Sequence, residues 1–518
     1  MNVIIRLIII IIAINCGPPR PTSDKQEPKF NQEMNIPTET LVNNLNSIEW
    51  NIRAEAAIAL GSRGYKNAIP KLKNLLVEDK NPIVKASVAT ALGELKDTSS
   101  TIEIGKLFSN PEIAKDSLID ALSRMGDSRG AIYVIPFLDS EIHTERLQAV
   151  EALVNMRAAS SSKEIIARAN KNTDIDKAKT YAMVIGKLAL KDGENYLLNL
   201  IQKAETGPTL AATILALGRI KSKKASPLLP RFISGDFDKG RENSVEALIM
   251  IQDKSILPIV FNDIENTNSE IKYLAAKVIT GIPDKSSGEK ALSILKSDKK
   301  QLYGVASYIL GRLKYETARL RIEEVVKDKS LIERDIIAES LGWIGNKDSA
   351  NVLIEVLNEK EGVARYGAAW SLGMLQNPIA IEALMEATKS SDGKLAILSI
   401  ESLGHFNDEK VLDFLFQSIE KNKAIALYAI PSMGNSSSPK LLKYLESLAE
   451  REEPEIYRPA IEQIGKLKKK DSITFLVGLL KKNNTDRNKI LISALNVITG
   501  EKFFTSSEWI NWYNKNNN

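Results

Sequence analysis

The chain has 518 residues, and 70 basic side chains against 65 acidic ones give it a net charge of +5 at pH 7. This near balance argues against a nucleic-acid-binding protein, which needs a clustered basic surface. A single cysteine, Cys16, cannot form an intramolecular disulfide, and two histidines in the whole chain argue against a His/Cys metal cluster. Only 6% of the residues are aromatic, and the abundant helix formers Ala and Leu predict an all-α chain.

The first 15 residues have the features of an export signal. Arg6 supplies a positive charge ahead of an uninterrupted apolar run over residues 7–14, which is far shorter than the ~20 apolar residues that span a bilayer. The residues at the end of this run, Ala13-Ile14-Asn15-Cys16, resemble the lipobox of bacterial lipoproteins in the relaxed form found in spirochaetes. The resemblance implies cleavage before Cys16 and a lipid anchor on its thiol. The alternative is an ordinary secretory signal with an incidental cysteine.

Residues 16–37 are rich in Pro, Lys, Glu, Gln and Asn. Such a composition cannot bury a core and predicts a flexible tether. In enterobacteria, Asp after the lipidated cysteine retains a lipoprotein in the inner membrane. Here Gly17 follows Cys16 instead, and this difference favours the outer membrane. We therefore expect a protein of the cell envelope that is held to a membrane through Cys16.

From residue 38 to residue 500 the chain repeats a segment that ends in Ala-Leu-Gly or a variant of it. With the Gly of this signature as a marker, successive markers lie 30 to 32 residues apart. A fixed period of this size predicts a solenoid of stacked repeats. The marker positions are Gly61, Gly93, Arg124, Asn155, Gly186, Gly218, Met250, Gly281, Gly311, Gly342, Gly373, Gly404, Gly434, Gly465 and Asn496.

Each period predicts two amphipathic helices. Pro70 falls in the first turn of a first helix, where its missing N–H has no intrahelical partner, and Pro227 has a similar place in another period. Asn81 precedes Pro82 and is placed to cap a second helix. The marker Gly lies near the end of the second helix, where it permits either close packing or a left-handed residue.

These features resemble the short-period HEAT-like repeats first noted in phycobilin lyases. The shared features are a Pro in the first helix, an Asn/Asp-Pro turn, a Val and a basic residue at the start of the second helix, and Ala-Leu-Gly. The resemblance implies a right-handed α-solenoid of about fifteen HEAT-like helix pairs over residues 38–500. It also implies a long concave face lined by the second helices.

Residues 501–518 resemble the closing segment of many bacterial HEAT-like proteins. Trp509, Trp512 and Tyr513 are spaced to lie on one face of a short predicted helix. We expect that helix to cap the open core of the last repeat. Membrane contact through these aromatic side chains is the alternative.

One position of the second helix, three residues before the marker, is predicted to face outward. Glu occupies it in several periods, but Tyr308 and Trp370 replace it in two of them, with Glu339 in the period between. Exposed Tyr and Trp are frequent anchors of protein interfaces, so we expect a protein or peptide partner here. Inter-repeat packing of these large side chains is the alternative. The candidate patch comprises Tyr308, Arg334, Glu339, Arg365, Tyr366, Trp370 and Glu401.

A basic residue recurs near the start of the second helix, as in Arg53, Lys85, Arg334 and Arg365. Two interpretations stay open for it. It forms a basic ladder for an anionic partner, or it bonds to loop carbonyls and acidic neighbours between repeats.

The sequence contains no Walker loop and no GxGxxG, GxSxG or HExxH motif. We predict a non-catalytic scaffold that binds a protein or peptide partner in the cell envelope, with no cofactor, no metal and no nucleic acid. One alternative is a bilin lyase-like enzyme or chaperone, by analogy with the lyases that carry such repeats. The other is a nucleic-acid-binding HEAT protein like the alkylpurine glycosylases. The export signal opposes both alternatives, and the near-neutral charge opposes the second.

Overall fold

The computed structural model describes residues 36–203, 206–482 and 484–516. The predicted signal peptide, Cys16 and all but the last two residues of the predicted tether lie outside the described residues. Within those ranges all regular structure is helical, which confirms the all-α prediction. No helix in the same ranges combines the length and the apolar character that crossing a bilayer requires.

The described residues form thirty α-helices, α1 to α30, in two compact units that meet in sequence between residues 192 and 193. The first unit contains α1 Thr38–Asn44, α2 Trp50–Ser62, α3 Ile69–Glu78, α4 Pro82–Glu94, α5 Thr101–Lys106, α6 Lys115–Met125, α7 Ala131–Val134, α8 His143–Asn155, α9 Ser162–Lys171 and α10 Ile175–Lys187. The second unit begins with α11 Glu194–Lys203, α12 Gly207–Arg219, α13 Asp238–Ile251, α14 Leu257–Asp263, α15 Ser269–Gly281, α16 Lys285–Leu295, α17 Tyr303–Arg312, α18 Arg319–Val325, α19 Arg334–Ile344 and α20 Ala350–Leu357. It continues with α21 Ala364–Leu375, α22 Ile381–Ala387, α23 Gly393–Leu403, α24 Glu409–Lys421, α25 Ala426–Met433, α26 Lys440–Ala449, α27 Pro454–Leu467, α28 Ser472–Lys481, α29 Thr485–Thr499 and α30 Ser506–Asn516.

Each repeat pairs a first helix with a second one, and the second helices of successive repeats pack directly on one another within each unit. The pair α3 and α4 is representative. Pro70 lies in the first turn of α3. The side chain of Asn81 caps α4 as predicted, because its Oδ1 accepts hydrogen bonds from the N–H groups of Ile83 at 2.9 Å and Val84 at 3.4 Å. The described ranges contain fifteen repeats, five in the first unit and ten in the second, and fourteen of them pair two α-helices, which confirms the solenoid.

The repeat that ends in α13 departs from the two-helix prediction. Its first half consists of two short 3-10 helices, Ser226–Leu228 and Pro230–Phe232, and contains no α-helix. Pro230 has no N–H to donate to the carbonyl of Ser226, so an α-helix that begins near Pro227 is interrupted after one turn. The prediction of an amphipathic first helix is therefore wrong for this period.

The marker glycines serve close packing. None of them has a positive φ. A Cβ at Gly93 would lie 2.8 Å from Ala121 Cα, and one at Gly373 would lie 2.8 Å from Ser402 Cα. Most marker glycines thus face a small residue, Ala or Ser, near the marker of the next repeat, whereas Gly281 faces Ile249 and Gly434 faces Gln463. Of the two interpretations of the marker, the structure selects close approach of neighbouring second helices.

The left-handed residue is a separate position, two to four residues after the marker. It terminates most second helices, because a residue with positive φ ends the helix and turns the chain toward the next repeat. Glycine is often absent from it, so the sequence gives little sign of this role. The residues are Gly64, Lys96, Gly126, Arg157, Ala189, Lys221, Gln252, Lys314, Gly345, Gln376, Lys468 and Gly500.

The C-terminal helix α30 packs on the last repeat. Trp509 is fully buried, and its ring lies 5.0 Å from that of Phe503 and 5.2 Å from that of Trp512. The hydroxyl of Tyr513 and that of Thr474 in α28 form a 2.9 Å hydrogen bond. This aromatic cluster closes the hydrophobic core at the end of the second unit, and burial of Trp509 makes that side chain unavailable for membrane contact.

Candidate functional site

The residues of the predicted patch lie on consecutive second helices of the second unit. Tyr308 is on α17, Glu339 on α19, Trp370 on α21 and Glu401 on α23, all three residues before their markers. Tyr308, Glu339 and Trp370 are half-buried, and Glu401 is exposed. The shared register places the four residues in the row that the sequence predicts.

The centre of this row is an aromatic ladder, which we define as Tyr273, Tyr308, Trp343 and Trp370. Its rings meet edge to face across four second helices, α15, α17, α19 and α21. The centroid distances are 5.5 Å from Tyr273 to Tyr308, 5.3 Å from Tyr308 to Trp343 and 5.8 Å from Trp343 to Trp370. Each such contact contributes about 0.5–1.5 kcal/mol beyond burial. All four rings remain partly exposed, so the ladder both ties repeats together and presents aromatic surface.

Sequence reasoning missed two rungs of the ladder. Trp343 lies four residues after Glu339 on α19, so helical spacing places it on the same face, and that rule could have found it. Tyr273 lies eight residues before its marker, in a different register. Only the packing of α15 against α17 brings it to Tyr308.

Two carboxylates lie on α19 beside the ladder. Asp335 and Glu339 are one helical turn apart, and both are half-buried. Burial, reinforced by the charge of Asp335, raises the pKa of Glu339 to about 7, although Lys394 opposes the shift. Burial also raises the pKa of Asp335. Neither side chain forms an ion pair with any residue in the described ranges.

A third carboxylate, Glu333, bridges two repeats at the other end of the ladder. Its side chain lies over Gly304 of α17, where a Cβ would collide with it. It accepts a hydrogen bond from the Tyr273 hydroxyl at 3.1 Å, and its Oε1 lies 3.3 Å from Lys272 Nζ. Glu333 is therefore neutralised within the fold, in contrast to Asp335 and Glu339.

Cations of the chain lie over several rings of this face. Lys394 Nζ is 4.1 Å from the ring centroid of Tyr366, and the Arg312 guanidinium is 5.6 Å from that of Trp343. Lys272 is 5.9 Å from that of Tyr273. Three rings of this face therefore already lie within 6 Å of a cation of the chain itself, a distance at which cation–π attraction operates.

Arg334, Arg365 and Tyr366 of the predicted patch connect repeats to one another. Arg334 is buried, and it donates to both carboxylate oxygens of Glu359 at 2.7 and 2.9 Å and to the carbonyl of Val326 at 2.8 Å. Hydrogen bonding from Arg334 lowers the pKa of Glu359. Arg365 and the Tyr366 hydroxyl both donate to Asp392, at 3.1 and 2.8 Å.

The same pattern recurs in the first unit. Arg53 donates to both carboxylate oxygens of Asp79 at 2.7 and 3.1 Å, and Arg146 donates to the carbonyls of Ser140 and Glu141 at 2.7 and 3.2 Å. For these positions the structure favours bonds to loop carbonyls and acidic neighbours over a basic ladder for an anionic partner.

Comparison with known proteins supports the fold class. The family model of HEAT repeats matches residues 38–123, 288–373 and 352–425. The chain is thus an all-α solenoid, and the matched segments resemble HEAT repeats. No curated protein sequence is significantly similar to the chain.

Several solved structures align with the chain at low sequence identity. One is Kap95p, whose binding induces the switch loops of RanGDP to adopt the GTP-bound conformation. The alignment has 13% sequence identity and a TM-score of 0.48, and it covers 89% of this chain and 77% of Kap95p. Kap121p has 12% identity, covers 92% of this chain and 64% of its own, and has a TM-score of 0.37. The CpcE–CpcF complex of phycocyanin lyase from Nostoc sp. PCC7120 has 15% identity, covers 58% of this chain and 99% of its own, and has a TM-score of 0.23. All three TM-scores are below 0.5, so these similarities are weak.

Proposed function

We propose that the protein is a non-catalytic scaffold that binds a protein or peptide partner through the aromatic ladder and the carboxylates beside it. The observation that carries the proposal is the ladder itself, four partly exposed rings on consecutive second helices. Tyr and Trp dominate the energetics of protein interfaces because they bury a large area with few rotatable bonds. The edge-to-face packing of the rings adds to this, since a preordered surface loses little entropy on binding.

Partner binding should disappear when the ladder is removed. We expect the double variant Tyr308→Ala, Trp370→Ala to lose capture of the envelope proteins that the wild-type protein retains, since truncation of an interface anchor costs about 2 kcal/mol or more. The measurement is quantitative affinity capture from envelope extracts. Phe504→Ala is the matched control, because it also removes an exposed aromatic ring, 81% accessible, but far along the chain from the ladder. Circular dichroism checks that both variants stay folded. Unchanged capture by the folded double variant would contradict the proposal.

We further propose that the scaffold is held to a membrane of the cell envelope, with the outer membrane favoured, through a lipid on Cys16. The support is the apolar run followed by the lipobox-like sequence, with the chain's one cysteine at the cleavage position. One acyl chain holds a protein only marginally and two hold it stably, so the modification must add more than one chain. The tether over residues 16–37 would then separate the array from the membrane surface.

The anchor has a direct test. Labelled palmitate should enter the wild-type protein, and globomycin should cause its unprocessed form to accumulate. Cys16→Ala should abolish both effects and move the protein from the membrane fraction to the soluble fraction. Cys16→Ser, which preserves size and polarity, serves as the second variant. A Cys16→Ala protein that stays in the membrane fraction after a carbonate wash would refute the lipid anchor.

A further inference from the structure

We infer that the aromatic ladder and the carboxylates of Asp335 and Glu339 form a subsite for a cationic side chain, a lysine or an arginine, of a peptide partner. The subsite rests on the proposed function, because it names the chemistry that the binding face selects. Three features support it: carboxylates without an ion pair among the described residues, neighbouring aromatic rings and a row of rings that crosses four second helices.

The negative charge at the subsite is incompletely neutralised by the fold. Asp335 and Glu339 are like charges one turn apart on α19, an arrangement that destabilises both ionised forms. The other groups that interact electrostatically with them are Glu333 just before α19, Tyr308 on α17 and Lys394 on α23. Lys394 lowers the pKa of both carboxyls but forms no ion pair with either of them in the described chain. Arg365 is committed to Asp392.

The walls of the subsite are aromatic. Glu339 lies between the register positions of Tyr308 and Trp370, and Trp343 follows it by one helical turn. A bare metal ion prefers a shell of oxygen ligands, which aromatic rings do not supply. Ammonium and guanidinium groups are instead stabilised by ring faces and carboxylates together. The chemistry of the walls therefore favours an organic cation.

The extent of the ladder favours a peptide as the carrier of that cation. The rings cross four second helices, so an extended chain can lie along the row with the alkyl stem of a Lys or Arg on the rings. The charged end of that side chain then reaches Glu339 and Asp335. Because burial raises the pKa of Glu339 to about 7, its negative charge develops between pH 6 and pH 8, and affinity for the cation should rise over the same interval.

The test titrates the full-length protein with acetyl-tetraarginine-amide and with acetyl-tetracitrulline-amide, which has nearly the same shape without the charge. Calorimetry gives the dissociation constants, and Trp343 and Trp370 provide a fluorescence readout. We expect Glu339→Gln to weaken binding of the arginine peptide about tenfold, as loss of a charge-assisted bond requires. The citrulline peptide should bind the wild-type protein about tenfold more weakly than the arginine peptide does. Between pH 6 and pH 8 the affinity of the wild-type protein should rise, and that of the variant should stay flat.

Glu462→Gln is the matched control. Glu462 has the same register, three residues before marker Gly465, but it is exposed and lies on a helix outside the ladder. Its replacement should change the affinity by less than about twofold. Equal weakening by both substitutions, or equal binding of both peptides, would overturn the subsite. If the peptide titration gives either of these results but the Tyr308→Ala, Trp370→Ala protein still loses partner capture, the cationic specificity is rejected. The scaffold proposal is then retained.

Discussion

Replacement of Gly373 by alanine is expected to lower the free energy of unfolding by about 2 kcal/mol, whereas the same replacement at Gly478 should raise it by up to about 1 kcal/mol. Both residues lie inside helices of the second unit, α21 and α28. A Cβ at Gly373 would lie 2.8 Å from Ser402 Cα and Cβ, which real Cβ atoms do not approach so closely. A Cβ at Gly478 would meet no atom within 4 Å. The two changes in the free energy of unfolding differ in sign because of packing, since the gain in helix propensity from Gly to Ala is the same at both sites.

Gly373→Ala cannot be relieved locally, because the atom in the way belongs to the backbone of α23. Relief requires α21 and α23 to separate, which disturbs the packing of the repeats on either side. Gly465 offers an intermediate case, since its Cβ would lie 3.1 Å from Ala494 Cα. The change in the free energy of unfolding for Gly465→Ala is therefore expected to lie between those for Gly373→Ala and Gly478→Ala.

Urea unfolding followed by circular dichroism measures these differences, with hydrogen exchange on α21, α27 and α28 to show where stability changes. A long repeat array can unfold in more than one step, so the midpoint and the slope of each transition are compared. Destabilisation of the same size at Gly478 would contradict the packing role of the marker, as would a stabilised Gly373→Ala protein.

The fold could be predicted from the sequence because equivalent positions of successive repeats make equivalent packing contacts. The close approach at Gly373 recurs wherever a marker Gly faces a small residue, so the period is visible without any structure. The prediction of two α-helices fails where a residue breaks the pattern. Pro230 lacks the N–H that an α-helix needs there, so two 3-10 helices form instead. The left-handed position after the marker escaped notice because Lys and Gln often occupy it.

The binding face was only partly predictable, because its side chains meet across repeats. The register of Tyr308 and Trp370 indicated the correct row of second helices. Whether Arg334 faces a partner or a neighbouring repeat depends on Glu359, which is 25 residues away and has no fixed place in the signature. Tyr273 joins the ladder through tertiary packing alone. Contacts within one helix follow from spacing, whereas these contacts depend on the angle between helices.

Replacement of Glu339 by glutamine is expected to stabilise the protein at pH 8 by about 2–3 kcal/mol and to leave its stability nearly unchanged at pH 4. The pKa of Glu339 is about 7 in the folded chain, against an ordinary value of 4.5, chiefly because of burial. A raised carboxyl pKa means that the folded state holds its proton more tightly than the unfolded chain does. Below pH 4.5 both states are protonated and the difference vanishes. As the pH rises through 7 the wild-type protein loses this stability, and the glutamine variant, which has no proton to lose, retains it.

Unfolding free energies from urea titrations at pH 4, 6 and 8 test this dependence, with Glu462→Gln as the control whose effect should be small and independent of pH. A stability difference between Glu339→Gln and the wild-type protein that does not grow from pH 4 to pH 8 would refute the buried, unpaired state of Glu339. The same variant links stability to binding. A carboxylate that destabilises the fold at neutral pH and forms no ion pair with any described residue is available to an external cation, and a bound cation would restore the lost stability. Glu339→Gln should therefore be the more stable protein and the weaker binder of the arginine peptide, a combination that general unfolding cannot produce.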